Sequence, residues 1–171
     1  YGIPEKGVAL TVATAEGMAR KGHNAPWFFT RKVPKEYGEA ANLTQAERVK
    51  ALVVGRAPKI GQSIIQLDDV FTTGDAKYEA RQVLDSLGSF TFPLLAIGVD
   101  RQEVGPNGKR AIDEYQEKTG TKVVSVVNAM DIYSFLMEHA PIKTPTGDIT
   151  KKDAERIANY LRVYGIDEAR K

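Results

Sequence analysis

The chain has few of the residues from which redox, metal and membrane sites are built. It contains no cysteine and only 2 histidines among 171 residues, which excludes disulfides and thiolate metal sites and disfavours a histidine-rich one. A formal net charge of +2 does not predict wholesale binding of nucleic acid or membranes. No apolar run approaches the roughly 18 residues of a membrane span, and no signal peptide is visible. We expect one globular domain in the cytoplasm, and a hydrophobic content of 42% agrees with this.

The N-terminal end is unusual for an α/β protein. Tyr1 leads without a methionine into Gly2-Ile3-Pro4, a turn that opens a helix, whereas a strand normally precedes such a turn. We therefore expect that an N-terminal portion is missing. The helix should end near residues 20–22 and carry one apolar stripe. The stripe is formed by Val8, Leu10, Val12, Ala15 and Met18.

The most informative stretch covers residues 64–75. It begins with the apolar pattern of a buried parallel strand, meets the adjacent acids Asp68 and Asp69, and closes on a Thr-Thr-Gly-Asp turn. Residues 76–87 then predict an amphipathic helix. Its apolar side is formed by Ala76, Ala80, Val83, Leu84 and Leu87.

A strand that enters a helix through a small, hydroxyl-rich loop is suited to phosphate binding. The unpaired N–H groups of the first helical turn and the positive end of the helix dipole attract an anion. The carboxylates of Asp68 and Asp69 can accept hydrogen bonds from sugar hydroxyls. The stretch therefore predicts a sugar-phosphate site, although an acidic strand end before an N-capped helix is the simpler interpretation.

Elements before this stretch fit an α/β pattern. Residues 25–30 predict an aromatic strand, and residues 31–39, which are cationic and interrupted by proline and glycine, predict a surface loop. The capping box at residues 44–47 favours a helix over 45–54. Residues 51–54 suit a hairpin strand equally well, so both assignments stay open.

The C-terminal half also alternates strands and helices. Residues 90–99 predict an apolar strand, in which Pro93 favours a sheet edge or an irregular start. The later elements are a polar helix over 109–119, a strand over 122–127, a helix capped by Asn128, a linker over 141–147 and a last helix capped at Thr150. This alternation predicts a Rossmann-like, mostly parallel sheet with helices on both faces.

The carboxyl ends of the predicted strands carry the polar residues of greatest interest. Ligands of open α/β sheets collect outside these ends, so Asp68, Asp69, Asp100 and Arg101 should line one crevice. A guanidinium in such a crevice gives a carboxylate a two-point partner. The plainer interpretation of Arg101 is an ion pair with Asp100 or Glu103.

Three stretches, in this order, resemble the orotate phosphoribosyltransferases, a family of type I phosphoribosyltransferases. Residues 30–39 are similar to the catalytic loop, residues 67–76 to the motif that binds phosphoribosyl diphosphate (PRPP), and residues 100–103 to the D-R-Q-E segment. Residues 2–4 resemble the turn at the family's pyrophosphate loop. The resemblance implies the type I phosphoribosyltransferase fold, with its N-terminal hood missing.

The resemblance also implies an activity. It is transfer of the phosphoribosyl group from PRPP to orotate, which gives orotidine 5′-phosphate and diphosphate in pyrimidine (UMP) biosynthesis. Mg²⁺ would be carried on PRPP rather than bound directly by the protein, and a homodimer would share the catalytic loop across subunits. A transferase for another base is an alternative, against which Arg101 argues because a neutral purine has no carboxylate. A PRPP-binding homologue that is non-catalytic or regulatory is another.

The family's functional residues carry over by position. Lys35 and Asp69 are implied as catalytic, and Thr72 and Arg101 as contacts to orotate. Cations on a closing loop would stabilise the leaving diphosphate and exclude water, unless that loop is merely an exposed basic segment. The PRPP contacts implied by the resemblance are Tyr1, Arg31, Lys32, Lys35, Tyr37, Asp68, Asp69, Val70, Phe71, Thr72, Thr73, Gly74, Asp75 and Ala76.

The sequence departs from the family's pattern at several places, two of which bear on predicted contacts. Tyr37 replaces the histidine of the loop, and Tyr1 stands where a lysine commonly precedes Gly-Ile-Pro. The resemblance covers roughly residues 1–138, and we assign residues 1–140 to a phosphoribosyltransferase domain. Residues 141–171 are assigned to a linker and a C-terminal helical extension.

Overall fold

The structure is a computed structural model that describes residues 1–32, 44–105 and 107–170. Its helices are α1 (Lys6–Arg20), α2 (Gln45–Leu52), α3 (Asp75–Leu87), α4 (Ala111–Thr119), α5 (Ala129–His139) and α6 (Lys151–Tyr164), with a short 3₁₀ helix at Asp167–Ala169. Its strands are β1 (Phe28–Thr30), β2 (Val53–Gly55), β3 (Ser63–Phe71), β4 (Thr91–Asp100) and β5 (Lys122–Asn128). No helix within these ranges combines the length and apolarity that crossing a membrane requires.

The sheet is mostly parallel, as predicted. Strands β3, β4 and β5 lie side by side in that order and run parallel, while β1 and β2 pair antiparallel. The first residues of the chain connect the two groups, because Gly2 forms parallel bridges to Phe29 and to Leu67. The backbone N–H of Leu67 donates to the Tyr1 carbonyl at 2.8 Å. The α/β architecture predicted from the sequence is confirmed.

Strand β4 lies in the middle of the three parallel strands even though it contains Pro93. Ser63 pairs with Thr91 and Ile65 pairs with Leu94, so the register shifts between these two pairs. Such an irregularity accommodates a residue that has no N–H group to donate to the ladder. The irregular start predicted for this strand is confirmed. Residues 91–93 also precede the pairing with β5, which begins at Leu94, so the early part of β4 has a neighbour on the β3 side only, in agreement with the predicted edge position.

Both assignments left open for residues 45–54 are partly correct. Thr44 caps α2 through a capping box with Glu47, and the helix ends at Leu52. The chain then continues as β2, which pairs with β1. The β-branched Val53 and Val54 therefore extend as a strand after the helix ends.

The apolar stripe predicted for α1 is wrong. Leu10, Val12 and Met18 have exposed fractions of 38%, 39% and 40%, whereas Gly7 and Thr11 are buried. A Cβ atom at position 7 would collide with the backbone carbonyl of Leu67. Helix α1 therefore packs on β3 through small residues at close range rather than through large apolar side chains.

Helix α3 buries the predicted side of its surface except at its start. Ala80, Leu84 and Leu87 are buried in the core, but Ala76 is exposed and Lys77 is buried instead. Lysine can occupy such a position only if its ammonium group finds partners, because an unpaired buried charge is costly. Those partners belong to the site described below.

The C-terminal segment packs against the rest of the structure. Helix α6 packs on α5. The N–H of Val104 donates to the Tyr164 carbonyl at 2.9 Å, and the N–H of Ile166 donates to the Gln102 carbonyl at 2.8 Å. The residues predicted as an extension thus adjoin the segment that follows β4, while the division at residue 140 stays a prediction.

Candidate active site

The carboxyl ends of β3 and β4 are level with each other. Phe71 pairs with Asp100, and Val70 pairs with Val99. Paired strands lie about 4.8 Å apart. Asp69, two residues before Phe71, and Arg101, one residue after Asp100, are therefore brought to the same edge of the sheet, as the sequence predicted.

The loop between β3 and α3 turns sharply at Gly74. This residue precedes the helix with a φ of 90°, and a Cβ atom there would lie 3.0 Å from the Phe71 ring. The Gly74 carbonyl accepts the N–H groups of Lys77 and Tyr78 at 2.8 and 3.0 Å. The start of α3 therefore lies at the carboxyl edge of the sheet, where its free N–H groups suit an anion.

Asp68 is the buried member of the acidic pair. One carboxylate oxygen, Oδ2, lies 2.6 Å from Lys77 Nζ, and the other, Oδ1, accepts the N–H of Asp69 at 2.9 Å. Burial raises the pKa of Asp68, and the hydrogen bond from Lys77 opposes the increase only in part. Both oxygens have protein partners and the side chain is only 7% exposed, so the predicted contact of Asp68 with PRPP gains no support from this geometry.

Asp69 is the more accessible member. Its Oδ2 lies 3.2 Å from the Nζ of the exposed Lys6, and its Oδ1 accepts the N–H of Val70 at 2.9 Å. Partial burial acts to raise the pKa of Asp69, but the Lys6 ammonium and the Val70 N–H outweigh it, so the pKa is lowered. Asp69 is thus a carboxylate at neutral pH, and it can accept hydrogen bonds from a ligand's hydroxyl groups.

Arg101, which follows the end of β4, is held by two partners. Its Nε lies 2.8 Å from Glu103 Oε1, and its Nη2 donates to the Tyr160 hydroxyl, which itself donates to Glu103. Burial and the Glu103 hydrogen bond raise the pKa of Tyr160 to about 12, so this hydroxyl keeps its proton. The ion pair with Glu103 considered from the sequence is therefore present, yet 38% of the Arg101 side chain remains exposed.

A mostly apolar cavity of about 300 Å³ lies beside Arg101. Its lining residues come from the end of β4 and from α5 and α6. They are Val99, Arg101, Ala129, Ile132, Arg156, Ile157 and Tyr160. A cavity with mostly apolar walls and two arginines among its lining residues suits a flat ring that carries a negative charge.

Comparison with known proteins decides the family. The orotate phosphoribosyltransferase of Pseudomonas aeruginosa is 33% identical over 167 residues, which are 97% of this chain and 68% of that protein. The chain belongs to the orotate phosphoribosyltransferase family. The enzyme of the same name from Cellvibrio japonicus is 33% identical over 98% of this chain and 68% of its own length. No family model matches the chain.

Solved structures of orotate phosphoribosyltransferases have the same fold. The structure of orotate phosphoribosyltransferase from Francisella tularensis superposes with a TM-score of 0.64 at 20% identity, covering 95% of this chain and 67% of that one. The structure of Leishmania donovani UMP synthase superposes with a TM-score of 0.63 at 21% identity, covering 94% of this chain and 28% of that one. At such low identities this likeness supports the type I phosphoribosyltransferase fold alone.

The catalytic loop expected in this family falls largely outside the described residues. Lys35 and Tyr37 lie there, so their predicted roles are untested. Lys32 is described, and its Nζ lies 2.7 Å from Glu5 Oε1 beside the Gly-Ile-Pro turn. The base of the loop is thus tied to that turn. The N–H of Arg31 donates to the Leu52 carbonyl at 2.9 Å.

Tyr1, which stands at the position of the family's lysine, is a core residue. It is 5% exposed, its ring packs on Phe28 at 5.0 Å, and its hydroxyl shares a hydrogen bond of 2.8 Å with Thr30. A buried side chain with a paired hydroxyl is a poor diphosphate ligand. The predicted PRPP contact of Tyr1 is therefore unsupported by the structure.

Sequence reasoning missed Lys6, Lys77 and Tyr160. Lys6 stands at the first position of a helix that follows a motif turn, which is a usable signal for a ligand-facing cation. Lys77 and Tyr160 lie on helices with ordinary amphipathic patterns and acquire their partners only through tertiary contacts. Among the residues that the structure describes, no group of three His, Cys, Asp or Glu side chains is placed to hold a metal.

Proposed function

We propose that this chain performs the reaction for which its family is named, the transfer of the phosphoribosyl group from PRPP to orotate, in pyrimidine biosynthesis. The observation that carries the proposal is the alignment of Phe71 with Asp100 across two parallel strands. It supports the proposal because it brings the helix start that would bind a phosphate to the same edge of the sheet as an arginine that would select a carboxylate-bearing base. A 33% identity over 97% of the chain supports the same reaction.

The chemistry requires charge to be placed on both sides of one bond. Cleavage of the ribose–diphosphate bond builds positive charge on the sugar and negative charge on the leaving group. Asp69 would accept hydrogen bonds from the ribose hydroxyls, and the backbone of residues 72–76 would bind the 5′-phosphate. Arg31, Lys32 and Lys35 would stabilise the diphosphate, which brings Mg²⁺ as part of the substrate.

The base is selected at the neighbouring strand end. Arg101 would bind the orotate carboxylate, with Thr72 as a second contact. The Arg101 side chain is 38% exposed and so remains accessible to a ligand, while Glu103 and Tyr160 hold its Nε and Nη2 atoms. A planar guanidinium forms two parallel hydrogen bonds with a carboxylate, which favours orotate over uracil or a purine.

The decisive experiment is a steady-state assay of the chain with PRPP, Mg²⁺ and each of three bases: orotate, uracil and adenine. Turnover with orotate alone supports the proposal, and turnover with adenine or uracil instead would contradict it. Calorimetric titration with PRPP should accompany the assay. Binding without turnover would select a non-catalytic homologue, an alternative that the buried Tyr1 favours because it removes a cation from the diphosphate.

We also propose that the enzyme is a cytoplasmic homodimer. In this arrangement the loop that carries Lys35 would complete the site of the partner subunit. Sedimentation velocity of the purified chain tests the oligomeric state, and a monomer at the concentrations of the assay would contradict the proposal.

A further inference from the structure

Lys77 is a buried cation at the start of α3. It is 5% exposed, and among the residues whose burial is described it is the one buried lysine. Its Nζ lies 2.6 Å from Asp68 Oδ2, donates to the Val70 carbonyl at 2.7 Å, and stands 5.5 Å from the centre of the Phe71 ring. Because a buried charge is costly unless it is paired, a lysine in this position requires an explanation.

The contacts of Lys77 join the two ends of the loop between β3 and α3. Asp68 and Val70 precede this loop, and Lys77 follows it. The N–H of Lys77 also donates to the Gly74 carbonyl at 2.8 Å, inside the loop. Lys77 thus links the end of β3 to the start of α3 through its side chain, and it links Gly74 to α3 through its backbone N–H.

The same contacts separate the roles of the two acids. Asp68 has both oxygens occupied and a side chain that is 7% exposed, whereas the Asp69 side chain is 29% exposed. The ammonium of Lys77 also offsets the negative charge of Asp68, near the end of the strand that precedes the loop. A substrate with several negative charges therefore meets one accessible carboxylate, that of Asp69, rather than two.

We propose that Lys77 is a positioning residue, which with Asp68 forms a buried ion pair that sets the loop of residues 71–76 for the 5′-phosphate of PRPP and leaves Asp69 to contact the ribose. This inference rests on the proposed function, because it assumes that PRPP is the ligand. Its physical basis is preorganisation: a loop that is ordered before binding loses less conformational entropy when the ligand arrives.

The test is a double-mutant cycle of Lys77→Met, Asp68→Asn and the combined variant, with Kd for PRPP measured by calorimetry and Tm by scanning calorimetry. Arg81→Met is the matched control, since Arg81 is a cation on the same helix whose guanidinium lies 3.9 Å from the Phe92 ring, away from the loop. Where turnover is measurable, kcat and the KM for orotate are recorded for each variant.

We expect Lys77→Met and Asp68→Asn each to weaken PRPP binding about tenfold, and the combined variant to weaken it by no more than either. Neither kcat nor the KM for orotate should change comparably. The combined variant should regain Tm, because it leaves no unpaired buried charge, without regaining PRPP affinity. Arg81→Met should bind PRPP like the wild type.

Three results would overturn the proposal. They are wild-type affinity in Lys77→Met, a multiplicative loss of about a hundredfold in the combined variant, or recovery of both Tm and PRPP affinity in that variant. The last would make the pair purely structural. Wild-type protein that binds PRPP without turnover contradicts the proposed function but leaves this comparison of Kd values intact, whereas wild-type protein that does not bind PRPP contradicts both.

Discussion

Asp68 and Asp69 are neighbours in the chain but differ in their surroundings. Asp68 is enclosed by Lys77 and backbone, and Asp69 faces the exposed Lys6. The first environment raises the pKa of its carboxyl group and the second lowers it. Environments that shift the pKa values of two adjacent carboxyl groups in opposite directions indicate different tasks.

Replacing Asp69 with Asn should reduce catalysis with little effect on folding. The change removes the negative charge that would face the ribose as positive charge develops there, so kcat/KM for PRPP should fall about a hundredfold. Tm should change little, since the side chain is partly exposed. Asp85→Asn, at an exposed position on α3, is the control. Unchanged kinetics in Asp69→Asn would remove this residue from the mechanism.

Arg101→Ala should selectively weaken the use of orotate. Loss of a charged two-point hydrogen-bond partner should raise the KM for orotate at least about tenfold, while Kd for PRPP stays near the wild-type value. Arg101→Lys should restore only part of the loss, because an ammonium cannot reproduce the planar pair. Impaired PRPP binding alone would show that Arg101 serves the sugar phosphate instead.

At the scale of elements, the turn from β3 into α3 depends on one glycine. Gly74→Ala should lower the free energy of unfolding by about 1–2 kcal/mol, because the backbone there is left-handed and a Cβ atom would press on Phe71. It should also weaken PRPP binding. Gly17→Ala is a sharp control, since that glycine lies within α1 with nothing near its Cβ position. There, alanine should stabilise the helix by about 1 kcal/mol. Urea denaturation measures the free energy of unfolding of both variants. Equal changes in the two variants would contradict the special requirement for glycine at position 74.

The elements that could be predicted are those with a strong local signal. The strand and helix on either side of residues 72–74 follow from an apolar run and a helical period, and the capping boxes at Thr44, Asn128 and Thr150 form as expected. Helix α1 was located correctly, but its buried side was not. Its packing is decided by the close approach of Gly7 to β3, and periodicity of apolar residues carries no information about such an approach.

At the scale of the whole molecule, the site combines residues that are distant in sequence. Arg101 and Tyr160 are 59 positions apart, and Tyr160 comes from the segment interpreted from the sequence as an added extension. Amphipathic pattern identifies α6 but does not reveal which tertiary partners its tyrosine meets. The family motifs indicate the substrate and the residues that would contact it. Only the folded structure shows which neighbouring residues hold those side chains in place.

The proposed sharing of the catalytic loop between two subunits predicts complementation between two inactive variants. Lys35→Ala and Arg101→Ala should each lose most activity, and mixing them after mild dissociation should restore up to about a quarter of the wild-type rate. Half of the dimers would then be mixed, and each would contain one intact site. Mixing Lys35→Ala with wild-type protein controls for dilution. Absence of recovery despite demonstrated exchange of subunits would place Lys35 in the site of its own subunit.

The absence of a side chain at Gly7 allows the neighbouring Lys6 to reach Asp69. Because α1 rests directly on the backbone of β3, Lys6 Nζ spans the remaining 3.2 Å to Asp69. Any larger residue at position 7 would act as a spacer, lifting the start of the helix and drawing the ammonium away from the carboxylate. The distance between Lys6 and Asp69 therefore depends on a residue that has neither charge nor side chain. A larger residue at position 7 would weaken this ion pair and raise the pKa of Asp69 without touching Asp69 itself.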